Sequence, residues 1–125
     1  MRSRLLGCIC AIGLAVAGQA DAHHAFAMFD TSREVVLDGV VRDFQWTNPH
    51  TWIEIAVRDP AGKETDWAIE GASPNSLARF GWKRTSIRAG DHVEAVIHPA
   101  KNGTIGGSLV KATVNGQVVG AQGLG

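Results

Sequence analysis

Tyrosine is absent from the 125 residues, and the only cysteines, Cys8 and Cys10, stand near the amino terminus. Beyond residue 10 there is no thiol, which excludes disulfide staples, thiolate metal centres and cysteine redox chemistry from whatever that part of the chain builds. Neither charge sign is in surplus: twelve Lys and Arg face twelve Asp and Glu. A nucleic-acid binder ordinarily carries a basic stripe, so nucleic acid is not an expected partner. Long apolar runs are also missing. The longest, Leu5 to Gly18, falls short of the ~20 residues that a membrane-spanning helix needs.

What that short run does resemble is the core of an export signal. Arg2 and Arg4 precede it, and small residues from Gln19 to Ala22 follow it with an Ala-x-Ala ending. This order marks a secretory signal peptide spanning residues 1–22. Cleavage is expected after Ala22, with Ala20 the second choice. Leu5-Leu6-Gly7-Cys8 has the look of a lipoprotein box, but too little apolar sequence precedes it to form an export core. Both cysteines therefore leave with the signal. Loss of Arg2, Arg4 and Asp21 leaves ten basic and eleven acidic residues, a net charge of −1. The expected product is one periplasmic domain, residues 23–125, with no membrane attachment after cleavage.

Within that domain the pattern is one of short strands. Val35 to Trp46 is rich in β-branched and aromatic residues, with Gly39 marking a bulge or bend. Thr51 to Asp59 alternates strictly, Ile53, Ile55 and Val57 on one face and Trp52, Glu54 and Arg58 on the other, as a half-buried strand does. Asp59-Pro60-Ala61-Gly62-Lys63 reads as a turn, and Glu64 to Gly71 returns with Trp67 and Ile69 inward. A short helix then begins at the N-cap Ser73 with Pro74 in its first position. It ends at Gly81, which lets Trp82 fold back onto Leu77. His92 to His98, with Val93, Ala95 and Ile97 inward, and Ser108 to Val114 complete the strands. Asn115-Gly116 turns out of the last strand, and the Gly-rich end is expected to fray. Three strands, a helix and two strands is the order of the OB-fold, a small five-stranded Greek-key barrel. The expected class is all-β.

Four motifs in this order, His23-His24-Ala25-Phe26, Trp46-Thr47-Asn48-Pro49-His50, Trp67-Ala68-Ile69-Glu70-Gly71 and Gly81-Trp82, resemble a widespread family of small exported bacterial proteins known as a domain of unknown function. The resemblance implies export and a single β-rich domain, and it implies no activity.

The histidines carry the most specific chemistry. After cleavage at Ala22, the α-amine and ring of His23 form a chelate similar to half of the histidine brace of copper proteins. His24 or His50 would supply the second imidazole. Cleavage at Ala20 instead exposes Asp21-Ala22-His23, which resembles the amino-terminal copper and nickel motif. Nitrogen donors favour copper among the divalent first-row metals, so Cu(II) is the candidate cofactor. His50 sits in the turn between strands one and two. In a meander the end of strand three lies beside it, so Glu70 is expected near its ring, where a carboxylate orients an imidazole. Asn48 shares that turn, and both side chains have an alternative role in bonding the turn's own backbone. His92, His98 and Glu94 share the outward parity of strand four, and Lys83, Arg84 and Arg88 read as a solvated loop.

Trp46 and Trp52 offer a stacking surface of the kind that ligand-binding OB-folds use, or else a seat for Phe26, Met28 and Phe29. No nucleophile–base arrangement is visible, so an enzyme is not expected. Two functions remain. One is an exported, non-enzymatic protein binding copper or a similar divalent metal through His23, His24 and His50. The other is a metal-free OB module that binds a protein partner or small ligand through Trp46, Trp52 and the turn with Asn48. The export reading predicts that the intact mass of the periplasmic protein begins at His23; a mass that retains residues 1–18 overturns it.

Overall fold

The computed structural model of the protein describes residues 27–120. Its strands are β1 (Val35–Gln45), β2 (Trp52–Arg58), β3 (Glu64–Glu70), β4 (His92–Pro99), β5 (Gly106–Val114) and a short β6 (Gln117–Val118). One helix, α1 (Pro74–Arg79), stands between β3 and β4. The strands run β3-β2-β1-β4-β5-β6 across the sheet, and a further pairing of β3 with β5 closes it. All pairings are antiparallel except β3 with β5, which is parallel over Ala68–Glu70 and Gly106–Ser108. The result is a closed five-strand barrel of OB type, with β6 as an added edge.

β1 serves both halves of the barrel, because its first six residues pair with β4 and Gly39 onward pair with β2. Gly39 is where the two pairings overlap, and a Cβ there would run into the Ala56 carbonyl and sit 2.7 Å from Ile55 Cγ2. The irregularity itself lies slightly further on, between Val41 and Asp43. Gly39 thus admits the close approach, while the extra residue, Arg42, supplies the bend.

The strict alternation of β2 is realised as core packing. Ile53, Ile55, Ile69, Val93, Ala95 and Ile97 are all buried, with Leu37, Val41, Leu109 and Ala112 around them. Val57 and Trp67, expected inside, are only half-buried against this core. The reason is topological: β3 meets β5 only from Ala68 onward, so the far end of the β2–β3 hairpin projects past the closed part of the barrel.

α1 forms as its signals dictate. Ser73 Oγ accepts from Ser76 N at 3.2 Å, and Pro74 opens the helix. At the other end Gly81 (φ +88°) donates to Ala78 O at 3.1 Å and Trp82 N donates to Leu77 O at 3.1 Å. These two bonds are a Schellman ending. They bring Trp82 down beside Leu77, both fully buried as a plug in the barrel's end. Among the described residues Trp82 Nε1 is the one buried side-chain polar atom without a hydrogen-bond partner.

Two strand limits differ from expectation. β5 begins at Gly106 rather than Ser108, because Gly106 and Gly107 let β5 wedge between β3 and β4. A Cβ on Gly106 would stand 2.8 Å from Ala68 O, and one on Gly107 2.5 Å from His98 O. The end expected to fray instead turns back as β6: Asn115 (φ 48°) and Gly116 (φ 84°) make the two-residue hairpin turn that matches strand twist. Val119 N then donates to Ala112 O at 2.9 Å. Residues 121–125 lie outside the described residues.

Replacing Ile55, 0% exposed, by Ala is expected to cost ~2–5 kcal/mol in urea unfolding, as buried large-to-small changes do. A loss below about 0.5 kcal/mol, the range of surface substitutions, would mean that β2 presents its other face to the core.

Candidate functional site

The candidate site lies where the β1–β2 turn meets the end of β3. The Asn48–Pro49 peptide in this turn is cis. Thr47 Oγ1 donates to His50 O at 2.9 Å, closing the turn. The role in turn bonding weighed for Asn48 and His50 is therefore filled by the neighbouring threonine, and the Asn48 side chain is exposed.

Thr51 does the positioning. Among the described residues it is the one buried polar side chain, 1% exposed. Its N and Oγ1 both donate to Ala72 O, at 3.2 and 2.9 Å, and its carbonyl accepts from Gly71 N at 2.8 Å. These three bonds fasten the entry of β2 to the exit of β3. A Cβ on Gly71 would overlap Thr51 Oγ1, which is the physical reason for a glycine after Glu70. With both chain segments fastened, His50 Nε2 stands 3.4 Å from Glu70 Oε1. The Glu70 side chain is 15% exposed and the His50 side chain 37%. A largely buried carboxylate thus faces one ring nitrogen, as the meander predicts, and the imidazole keeps an open side.

The other expected members are distributed differently. Trp46 is half-buried and packs edge-on against Phe44, with centroids 5.9 Å apart and an interplanar angle of 73°. Phe44 in turn meets Trp82 at 6.2 Å. Trp52 is 39% exposed on the outer face. His23, His24 and Phe26 lie outside the described residues. Among the described residues no three His, Cys, Asp or Glu side chains come together as a metal site, so His50 and Glu70 alone do not complete one.

The segment expected to cover Trp46 and Trp52 is anchored elsewhere. Phe29 is buried and bridges to Ala100, Lys101 N donates to Met28 O at 2.9 Å, and Asp30 N donates to Pro99 O at 2.9 Å. Met28 stays 53% exposed. Backbone pairing at residues 99–101, together with burial of Phe29, places residues 28–30. Asp30 also accepts from Ser32 N and Oγ, and that hydroxyl and amide, helped by Arg33, hold its carboxyl below the usual aspartate range.

His92 is exposed on the surface, as its outward parity predicts, and both it and His98 have a partner. His92 Nε2 lies 2.8 Å from Asp38 Oδ1. His98 is half-buried with Nδ1 3.0 Å from Arg33 O. Since a carbonyl only accepts, Nδ1 of His98 carries the proton. Lys83, Arg84 and Arg88 are exposed in the loop after α1, as expected.

The outer face of β2 and β3 is where OB-folds commonly bind their ligands. Here its charge divides into two halves. At the far end Arg42 bonds Glu64 and lies 3.7 Å from Asp66, while Arg58 reaches Glu64 at 3.4 Å. Nearer the site, Asp43, Gln45, Trp52, Ile53, Glu54 and Ala68 line a hollow of about 180 Å³.

Residues 12–110 match the family of unknown function DUF6152. The chain belongs to that family. No curated protein matches it. Among solved structures, the mitochondrial single-stranded DNA-binding protein Rim1 of S. cerevisiae is similar, with a TM-score of 0.51 at 13% identity, over 66% of this chain and 93% of that one. At such identity the likeness concerns the OB fold of this DUF6152 member and nothing further.

Gly71→Ala is expected to push Thr51 out of its bonds and destabilise the protein by roughly 1–3 kcal/mol, as overpacking does. The His50 ring resonances should shift with it. A variant as stable as the native protein, with unmoved His50 signals, would show that the Thr51 clamp does not position the site.

Proposed function

We propose that the protein is an exported, periplasmic, non-enzymatic binding protein that takes Cu(II) at its mature amino terminus. In this reading the α-amine and ring of His23 are the first ligands, and His50, oriented by Glu70, or His24 completes the set. The observation that carries the proposal is the His50–Glu70 pair, 3.4 Å apart. A carboxylate on one ring nitrogen aims the other outward and raises its basicity as a ligand. Amine and imidazole donors together suit copper.

Nucleic acid fits this reading poorly. The mature chain carries a net charge of −1, and on the ligand face of the barrel Arg42 and Arg58 are already paired with Glu64 and Asp66, with Asp43, Glu54 and Glu70 beside them. Phosphate backbones require Lys and Arg there.

The test compares the native amino terminus with one extended by a single Gly, titrated with Cu(II) at two pH values. The α-amine, with an ordinary pKa of ~8, must lose its proton to bind, so affinity should fall as pH is lowered through neutrality. The extended protein should bind at least about tenfold more weakly, the order of change seen when a ligand's support is lost. His50→Ala should also weaken binding. Equal binding by all three proteins would remove copper from the amino terminus.

A further inference from the structure

The hollow at Trp52 is a different feature from the copper ligands, and it has an occupant suggested by its own chemistry. Its floor is Ala68, directly opposite Glu54 across the β2–β3 ladder, and Trp52 stands at its side. Asp43 and Glu54 supply the charge. Asp43 accepts from Gln45 Nε2 at 3.1 Å, and among the described residues neither carboxylate is in an ion pair, unlike Glu64 and Asp66 on the same face. An exposed indole beside two uncompensated carboxylates suits a cationic side chain, which stacks on the ring while pairing with the acids. At about 180 Å³ the hollow is smaller than ordinary small-molecule pockets; it holds one long side chain.

A second observation says what that side chain hangs from. β3 pairs with β5 only over Ala68–Glu70, so Glu64–Trp67 has no strand on its outer side among the described residues. An open edge binds an extended segment through main-chain hydrogen bonds, with specificity set by pockets for alternate side chains. From that edge the path into the hollow crosses the outer face past Asp66 to Ala68, two residues further along β3. The same face already contains such a crossing: Arg42 of β1 passes over β2 at Ala56 to reach Glu64 and Asp66 of β3.

We propose that the open edge of β3 and the Trp52 hollow dock an extended, arginine-bearing segment of a partner protein, with one guanidinium over Trp52 between Asp43 and Glu54. The inference does not rest on copper binding.

The experiment uses the exported, processed protein in EDTA and a fluorescent, end-capped Thr-Arg-Thr-Arg-Thr peptide, followed by anisotropy. Saturable binding is expected, with the Thr-Gln-Thr-Gln-Thr counterpart weaker by about tenfold or more, since charge-assisted bonds are roughly twice as strong as neutral ones. Trp52→Ala should weaken binding about three- to tenfold and Trp52→Phe less, following the order of ring strength. Glu54→Gln should weaken it similarly and reduce its salt dependence. Both positions are exposed, so circular dichroism should show native folding. His50→Ala should leave peptide binding unchanged, which separates this surface from the copper ligands. The proposal is overturned if the Arg and Gln peptides bind alike, or if Trp52→Ala and Glu54→Gln bind as the native protein does. Tighter binding of a thymidine oligonucleotide than of the Arg peptide would also overturn it.

Discussion

Everything about the site follows from one short parallel pairing, Ala68–Glu70 against Gly106–Ser108. Among the described residues it is the one place where β3 meets β5 and closes the barrel, and it exists because two consecutive glycines let β5 press between its neighbours. Closure here fixes Glu70 at the end of the barrel beside the β1–β2 turn. It also sets the separation between Glu70 and Ala100, where the amino-terminal segment is fastened. Because the pairing is so short, it leaves the rest of β3 with an open edge and Trp67 half-buried.

Around that closure the molecule separates rigidity from availability. Thr51, Gly71 and Ala72 share three backbone and hydroxyl bonds around the buried Thr51 side chain. The imidazole they present is more than a third exposed. The outer face follows the same division. Arg42 and Arg58 pair with Glu64 and Asp66, while Asp43 and Glu54 beside Trp52 have no cation partner among the described residues. This distribution of charge leaves the Trp52 half of the face acidic and the far half paired.

Much of this was legible in the chain. The alternation of Ile53, Ile55 and Val57 identified the core face of β2, and Ser73-Pro74 with Gly81-Trp82 located both ends of the helix. The proximity of His50 and Glu70 followed from meander geometry alone. Gly106 and Gly107 were not read as strand because glycine is depleted there, and their role appears only when three strands converge. Asn115-Gly116 held the signal for β6, since that dipeptide is the strongest short hairpin cue. Nothing local marked Thr51 as buried, because its partner Ala72 lies 21 residues away.

The sequence by itself determined the five barrel strands, the helix caps, the order of the OB barrel and the even balance of charge, since these depend on periodicity, turn chemistry and composition. Only the tertiary structure decided that Phe29 bridges to Ala100 just after β4 instead of covering the tryptophans, that Trp46 is packed while Trp52 is open, and that two of the face's carboxylates have no cation partner among the described residues. Each of these depends on which distant segment arrives beside which. That is set by barrel closure and the competition of side chains for the same space, and no window of neighbouring residues contains it.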